Sequence, residues 1–209
     1  AVSYVKTLAE LHAGPGGPVI ATVQPGTPVT VLATKGTATE IELSGWSPMG
    51  GAKYIFKDAG ERIGRATLTD EGVAKRIVAG TKDDAWESTW ENAKVDGWID
   101  TADLVPDLGT VWDDAGSLYY SRCSRCHSLR KPREFTANQW PSVLKIMTAR
   151  AGFTKDQAAL VTALLQNHAR DQNVDDSFAE TVAARATTPE QPQVAKIVGT
   201  PKMAEEGKA

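Results

Sequence analysis

In residues 118–127 the chain reads LYYSRCSRCH, a stretch that contains both of its cysteines. Cys123 and Cys126 lie three residues apart, about one turn of a helix, so their thiols can add to the two vinyl groups of one porphyrin. His127 follows directly and can bind the iron as its proximal ligand. The C-x-x-C-H motif therefore predicts one covalently attached haem c, with a helix leading into it.

A zinc site and a redox-active dithiol are the alternative interpretations of this motif. A thioredoxin-type dithiol normally follows a strand and requires no histidine after it. A zinc site would need a fourth ligand, and the adjacent Cys126 and His127 would have to bind one tetrahedral ion. A framework of disulfides is excluded, because two cysteines this close cannot connect distant parts of the chain. Haem attachment is the favoured interpretation.

The segment around the motif repeats its apolar residues with the 3.6-residue period of helices. After a linker over residues 104–111, one helix is predicted from Asp113 through Tyr119 into the cysteine pair. A second helix, with Thr136 or Asn138 as its cap, presents an apolar stripe of Trp140, Val143, Leu144 and Met147. A third follows the capping box of residues 154–157 and buries Val161, Leu164, Leu165 and His168. An all-α haem domain is therefore predicted over residues 107–170.

Residues 1–106 alternate apolar and polar side chains in short runs separated by glycine and proline. The strand-like runs cover residues 19–23, 29–34, 41–43, 54–56 and 95–99. Their spacing predicts a small antiparallel barrel or sandwich. The segment from Thr69 to Val78 fits either a short helix or an insertion.

Beyond residue 170 the apolar periodicity ends, and Pro189, Pro192 and Pro201 interrupt a polar sequence. Residues 171–209 are therefore predicted to form an extended or disordered tail. The chain is expected to contain two domains, an all-β domain of residues 1–106 and an all-α domain of residues 107–170, followed by this tail.

Several side chains could provide the sixth iron ligand of the predicted haem site. The available side chains are Met147, His168, Met203, His12 and Met49. Met147 lies 20 residues after His127, beyond a loop whose residues 130–133 can lead the chain around the haem edge. We favour Met147 over His168, since His168 ends the third helix, and in the class I cytochromes c that this motif resembles that helix packs behind the proximal side. An iron with no sixth ligand is the third alternative.

Charge is distributed unevenly along the chain. The net charge of −3 divides into −4 for residues 1–106, +4 for residues 107–170 and −3 for residues 171–209. The basic haem segment predicts a docking face for an acidic redox partner, with Arg125, Arg130, Lys131 and Arg133 as its main contributors. The alternative is that these side chains only meet solvent or the haem propionates. No nucleic-acid partner is expected.

Apolar runs are only a few residues long, so no segment is expected to cross a membrane as a helix. The chain opens on Ala1 and Val2 and leads at once into strand-like sequence. We therefore expect that any export signal or membrane anchor of the full-length protein has been removed, and that this chain makes no membrane contact itself.

Several blocks of this sequence resemble TorC-type cytochromes, the pentahaem quinol-oxidising cytochromes of trimethylamine N-oxide and dimethyl sulfoxide respiration. The similar blocks are residues 123–129, 135–140, Met147 and 164–169, together with residues 4–11, 26–29 and 97–104. The resemblance covers about residues 3–170. It implies an SH3-like barrel over residues 1–106, and a class I cytochrome c-like monohaem domain with Cys123, Cys126, His127 and Met147 at its haem.

Class I cytochromes c also have an aromatic residue four positions before the first cysteine, which is Tyr119 here. The glycine that usually lies four residues earlier is replaced by Ala115, with Gly116 beside it. The family's membrane helix and tetrahaem domain are not in this sequence. The chain is therefore either a fragment of a multihaem protein or a free-standing relative.

The resemblance implies a periplasmic electron carrier rather than an enzyme. Its expected partners are a tetrahaem quinol-oxidising domain, which donates electrons, and a soluble periplasmic reductase, expected to be a molybdenum enzyme. Two alternatives belong to other classes of function: a haem-based sensor, and an SH3-like binding module whose haem is structural. The spin state of the ferric haem distinguishes electron transfer from sensing.

Overall fold

Alternating apolar residues form ten strands in the computed structural model, which describes residues 1–174 of the chain. The strands are β1 Val2–Val5, β2 Ala9–His12, β3 Val19–Val23, β4 Pro28–Lys35, β5 Ala38–Pro48, β6 Tyr54–Asp58, β7 Glu61–Leu68, β8 Ile77–Asp83, β9 Thr89–Asp100 and β10 Leu104–Val105. Each of the five strand-like runs of the sequence lies within one of these strands.

All ten strands belong to one antiparallel sheet in the order β10-β1-β4-β5-β6-β7-β3-β2-β9-β8. Strand β5 also pairs with β9 along its whole length, from Ala38 opposite Asp100 to Pro48 opposite Trp90. This second pairing closes the part of the sheet between β5 and β9 on itself. The closed part surrounds an apolar core that includes Leu11, Ile20 and Ile41, each without exposed surface.

Strand β5 shows how the two-residue period builds this core. Thr39, Ile41, Leu43, Gly45 and Ser47 are buried, and the residues between them are half-exposed. Because successive side chains of a strand point to opposite faces, the buried set lines one face of the sheet. The same alternation was visible in the sequence at residues 41–43.

Four helices accompany the sheet: α1 Asp70–Lys75, α2 Leu108–Cys123, α3 Trp140–Arg150 and α4 Lys155–Asn167. Thr154 and Gln157 cap α4 reciprocally, as predicted from the capping box. Helix α2 begins earlier than predicted, because Asp107 rather than Asp113 caps it by accepting a hydrogen bond from the Gly109 N–H. The segment from Thr69 to Val78, for which the sequence allowed a short helix or an insertion, contains α1 and the start of β8.

Helices α2, α3 and α4 bury their apolar faces in a second core that they share with the sheet. Its members include Trp112 and Ala115 from α2, Trp140 from α3, Leu164 from α4, and Ile63 from β7. The aromatic ring of Tyr4 in β1 and the side chain of Val105 in β10 pack against the same cluster. The helices therefore complete their core with strand residues.

Hydrogen bonds cross from the helices to the turn between β6 and β7. The side-chain amide of Asn138 donates to the Gly60 carbonyl and accepts from the Arg62 N–H, both at 2.8 Å. The buried amide of Gln166 in α4 donates to the carbonyls of Ala137 (2.8 Å) and Arg62 (3.2 Å). Asn138 was one of the two residues predicted to cap this helix. Its side chain instead connects the start of α3 to the sheet.

The predicted fold class, a separate SH3-like barrel followed by an all-α cytochrome domain, is therefore wrong. The chain forms one large antiparallel sheet, and the helices after it share a core with Ile63 instead of forming an all-α domain. Helical periodicity identified which faces are apolar, but it carries no information on what covers them. The division of the chain at residue 106 stays a prediction.

The predicted tail lies outside the described residues from position 175 onward, and so does Met203. Among residues 1–174, no helix combines the length and the apolar character needed to cross a bilayer.

The contact between Gly26 and Trp112 tests how far the sheet and helices depend on each other. Gly26 has a φ of +76°, and a Cβ there would overlap Cη2 of the Trp112 ring. Gly26→Ala should lower the free energy of unfolding by about 1–2 kcal/mol through backbone strain, and by a further ~1–3 kcal/mol through the overlap. Urea denaturation measures both terms together.

Gly36→Ala is the matched control, because Gly36 has a φ of +62° with nothing within 4 Å of its added Cβ. It should show the strain term alone. Equal losses in the two variants would mean that the sheet and α2 do not pack as described.

Candidate haem attachment site

The C-x-x-C-H motif begins at the last residue of α2. Cys123 ends the helix, and the Ser124 hydroxyl and N–H both donate to the Tyr120 carbonyl, at 2.6 Å and 3.3 Å. Cys126 and His127 lie in the turn that follows. Cys123 is half-buried against the second core, whereas Cys126 and His127 are exposed. One thiol therefore lies at the edge of the core and the other faces outward.

The imidazole of His127 has a defined hydrogen bond at one nitrogen. Its Nδ1 lies 2.7 Å from the Ser128 carbonyl oxygen. Since a carbonyl only accepts, Nδ1 carries the proton, and in the neutral ring Nε2 keeps its lone pair. Metal-binding histidines typically donate their second ring N–H to a carbonyl or carboxylate in this way. Nε2 is thus the nitrogen of His127 that could bind a metal.

The loop after His127 is held at two points by buried aromatic side chains. The Tyr119 hydroxyl donates to the Arg130 carbonyl at 2.8 Å, and Trp140 Nε1 donates to the Pro132 carbonyl at 2.9 Å. Burial raises the pKa of Tyr119 above its ordinary value, so its hydroxyl stays protonated as a donor. These two bonds fix the chain between His127 and α3.

Met147 lies at the exposed edge of the α3 stripe. Trp140 and Leu144 of that stripe are buried, but Met147 is 39 % exposed and its neighbour Ile146 57 % exposed. Arg122, next to Cys123, contacts the Ala151 carbonyl at 3.5 Å, just past the end of α3. The Ala151 N–H in turn donates to the Met147 carbonyl at 2.9 Å. Met147 is therefore one turn from the point where α3 meets the end of α2.

His168 lies at the other end of α2. It is 4 % exposed, its Nδ1 bonds the Leu164 carbonyl at 2.7 Å, and its ring meets Trp112 edge to face at 5.3 Å. Burial lowers the pKa of His168 and favours its neutral form. Trp112 precedes Cys123 by eleven residues, which is about 16 Å along a helix.

His12 and Met49 both belong to the sheet region. His12 ends β2, with Nδ1 2.8 Å from the Gly17 carbonyl. Met49 is 62 % exposed in the turn after β5. Of the proposed sixth ligands that the structure describes, only Met147 lies on a helix whose end meets the end of α2.

The donor set fits a c-type haem better than the alternatives. Burial, with a smaller contribution from Cys126, raises the pKa of the Cys123 thiol to about 11. Reactive dithiols use thiolates, which need a lowered pKa. Within residues 1–174, no three His, Cys, Asp or Glu side chains converge on a point that could hold a metal ion. Two thiols and a histidine with a free Nε2 suit haem attachment.

Comparisons with known proteins find one matching family model and several similar proteins. Residues 4–104 match the model of the TorC third cytochrome c domain. The chain is 31 % identical to cytochrome c-type protein TorY of Escherichia coli O157:H7 over 153 residues, 73 % of this chain and 42 % of that protein. It is 27 % identical to cytochrome c-type protein TorC of Escherichia coli strain K12 over 154 residues, 70 % of this chain and 38 % of that protein.

The chain is a TorC/TorY-type cytochrome c region. The resemblance read from its motifs is thereby confirmed. Cytochrome c-type protein TorY of Haemophilus influenzae is a further relative, 29 % identical over 131 residues, 62 % of this chain and 35 % of that protein. No solved structure matches the chain.

The similarity to TorY of Escherichia coli extends over both the sheet and the motif. A segment of 153 residues within a chain of 209 always includes residues 57–153, and therefore Cys123 to His127. The segment that matches the TorC third cytochrome c domain, in contrast, ends before either cysteine. The chain spans about two-fifths of the length of these curated relatives.

Proposed function

We propose that the chain carries one covalent haem c and acts as an electron carrier, not an enzyme. Cys123 and Cys126 would hold the haem through thioether bonds, and His127 would bind the iron as the proximal ligand. The observation that carries the proposal is the C-x-x-C-H motif at the end of α2, where the Nδ1 bond to Ser128 leaves Nε2 of His127 available. The TorC/TorY relatives, named as cytochrome c-type proteins, support it.

The bound haem would supply a one-electron redox couple, and the residues of this chain would hold and orient it. Cys123, packed against the second core, fixes one point of attachment, while Cys126 in the turn can adjust to the other. The bonds from Tyr119 and Trp140 restrain the loop after His127 and so limit rotation of the proximal ligand.

Attachment is tested by maturing the chain in a host with a cytochrome c maturation system. The purified protein should carry one haem that acidified organic solvent does not extract. Cys126→Ala should lose most of it, because one thioether and half of the motif are removed. The absorbance of the extracted and unextracted fractions measures the outcome.

Ser121→Ala is a suitable control, since Ser121 is an exposed neighbour of the motif whose hydroxyl bonds only the Leu118 carbonyl at 3.3 Å. Its haem content should equal that of the unaltered chain. One equivalent of zinc with no haem absorbance would overturn the proposal.

We propose Met147 as the sixth ligand. It lies on the exposed edge of α3, one turn before the contact with Arg122. His168 is buried against Trp112, which lies about 16 Å from Cys123 along α2. The ferric protein should show the weak near-infrared band of sulfur-to-iron ligation. Met147→Ala should abolish this band and lower the reduction potential, because thioether ligation raises it.

His168→Ala serves as the comparison and should leave the band intact. Loss of the low-spin spectrum in His168→Ala, with Met147→Ala unaffected, would reverse the assignment. Residue His168 contacts Trp112, so circular dichroism should first establish that the variant is folded.

We further propose that the chain works in the periplasm, receives electrons from a tetrahaem quinol-oxidising domain and passes them to a soluble reductase. The relatives support this, because each is more than twice as long as the similar segment and so contains further sequence. The reductase of trimethylamine N-oxide respiration, expected to be a molybdenum enzyme, is the proposed acceptor. The basic haem segment, with a net charge of +4 over residues 107–170, supplies a surface for an acidic partner.

Arg130, one of the predicted docking residues, has stabilising side-chain contacts of its own, whereas the bond of Lys131 in this loop is made by its backbone. Arg130 forms an ion pair with Glu134 at 3.0 Å and lies over the Phe135 ring. Glu134 also accepts from the Lys131 N–H at 2.7 Å. The exposed side chains of Arg125 and Lys131 are therefore the better positions for charge reversal.

Electron transfer to the reductase should slow as salt rises from low to physiological concentration, because salt screens the attraction that speeds encounter. The double variant Arg125→Glu with Lys131→Glu should slow it by at least about tenfold at low salt, with the haem spectrum unchanged. Stopped-flow absorbance measures the rate.

Lys35→Glu with Lys6→Glu makes the same change of charge at exposed residues of the sheet region. This control should have a much smaller effect. A rate that changes neither with salt nor in the variant Arg125→Glu with Lys131→Glu would place docking elsewhere on the chain.

A further inference from the structure

A cavity of about 190 Å³ lies where the sheet meets the helices, at the opposite end of α2 from the cysteines. Its apolar wall is formed by Pro25, Pro28, Ile63, Leu108 and Trp112. Two of its other lining residues, Lys57 of β6 and Arg65 of β7, are cationic. The cavity thus combines an apolar wall with two cationic residues.

Neither cation has a carboxylate within ion-pair distance in residues 1–174. The Lys57 ammonium donates to the Gln172 amide oxygen at 2.7 Å, and the Arg65 guanidinium donates to the Ser44 carbonyl at 2.7 Å. Both partners are neutral. Burial lowers the pKa of Lys57 and of Arg65, which reflects the cost of keeping a charge away from water.

Two acidic groups near these cations, Asp58 and Asp171, have other partners. Asp58 pairs with Lys82 and accepts the Ala59 N–H, and Asp171 accepts the Ala137 N–H at 2.8 Å. Glu61 and Asp171 raise the pKa of Lys57, but burial outweighs them. The positive charge at the cavity is therefore only partly balanced by the described part of the chain.

A donor beside Lys57 lacks an acceptor among residues 1–174. The Gln172 amide oxygen accepts from Lys57, and the Gln172 amide nitrogen is buried with no hydrogen-bond partner in this part of the chain. Buried donors without partners are rare and costly in folded proteins. Helix α2 begins and α4 ends at this cavity, so their dipoles oppose one another and the two cations decide the sign of the local potential.

We propose that this cavity binds a small carboxylate anion, with Lys57 and Arg65 at the carboxylate and Trp112 and Ile63 against its aliphatic part. The volume is below the 300–1,000 Å³ or so of pockets for drug-sized ligands, so the ligand has few heavy atoms. An apolar wall beside two cations favours a short organic acid over a fully hydrated inorganic anion. Charge-assisted hydrogen bonds to a carboxylate would satisfy both cations.

This site is separate from the proposed haem attachment, since Trp112 precedes Cys123 by about 16 Å of helix. A ligand here would contact β7, α2 and the end of α4 together, through Ile63, Trp112 and Asn167. Binding would therefore stabilise the junction of sheet and helices, independently of the redox state of a haem.

The test titrates acetate and succinate into the full 209-residue chain and follows backbone amide resonances by NMR. Resonances of Gly26, Gly64 and Asn167, which line the cavity, should shift saturably. Lys57→Gln should weaken binding at least about tenfold, because a charge-assisted bond is lost. Lys57→Arg should retain most of the affinity, since it keeps the charge.

Lys53→Gln is the matched control, because Lys53 pairs with Asp70 on the surface outside the cavity. It should bind as the unaltered chain does. An equal response to phosphate and chloride would overturn the assignment to carboxylates, and so would the absence of saturable shifts in the unaltered chain.

The chain's own acids are the remaining occupant to distinguish, because Asp175 and Asp176 follow Val174 of the cavity wall in the sequence. The double variant Asp175→Asn with Asp176→Asn decides between these two side chains and a free carboxylate as the occupant of the cavity. Binding that appears only in this variant would assign the cavity to those side chains and overturn the proposal of a free ligand. Equal binding by the unaltered chain and by the double variant would support a free ligand.

Discussion

The buried amide of Gln166 joins α4, the start of α3 and the sheet. Its nitrogen donates to the carbonyls of Ala137 and Arg62, and the side chain is only 4 % exposed. Away from water these bonds cannot be replaced by solvent, so losing them would leave two carbonyls unsatisfied. Together with Asn138 on Gly60 and Arg62, this amide sets where the helices lie on the sheet. The packing of Trp112 over Gly26 depends on that placement.

The position of helix α2 on the sheet determines where the cysteine pair lies. Its first turns pack against the sheet through Trp112, and its last residue is Cys123. Sixteen residues make a rod of about 24 Å, so the motif lies well away from the sheet contact. Tyr119 and Trp140 then hold the loop that follows His127. A rigid helix anchored at one end thus presents the proposed haem ligands at its other end, next to the basic surface.

The same rod separates two environments with different chemistry. The cysteine end is basic and largely exposed, and the partly exposed Met147 lies one turn from the contact of Arg122 with Ala151. The sheet end contains the cavity with Lys57 and Arg65, whose charges have no acidic partner at ion-pair distance in residues 1–174. An electron-carrying site needs access to partners at its surface, whereas a small ligand needs enclosure, and the two ends of α2 meet these needs separately.

The local structure was largely predictable from sequence. Strands around Ile41 and Val95 follow from their two-residue period, and the Thr154–Gln157 box fixed the start of α4. The separate all-α domain was wrong because periodicity shows an apolar face without its partner, and Ile63 supplies that partner from 45 residues before α2 begins. Asn138 and Gln166 have ordinary sequence contexts, so their long-range bonds could not be foreseen. Lys57 and Arg65 belong to an alternating strand pattern that hides their shared cavity.

Potentiometric titration of the matured chain, followed by its visible absorbance, tests the central claim most directly. A single haem per chain predicts one Nernstian transition with n = 1 and an amplitude that corresponds to one haem for each protein molecule. An absorbance spectrum with no redox transition, or several transitions of comparable amplitude, would contradict the account.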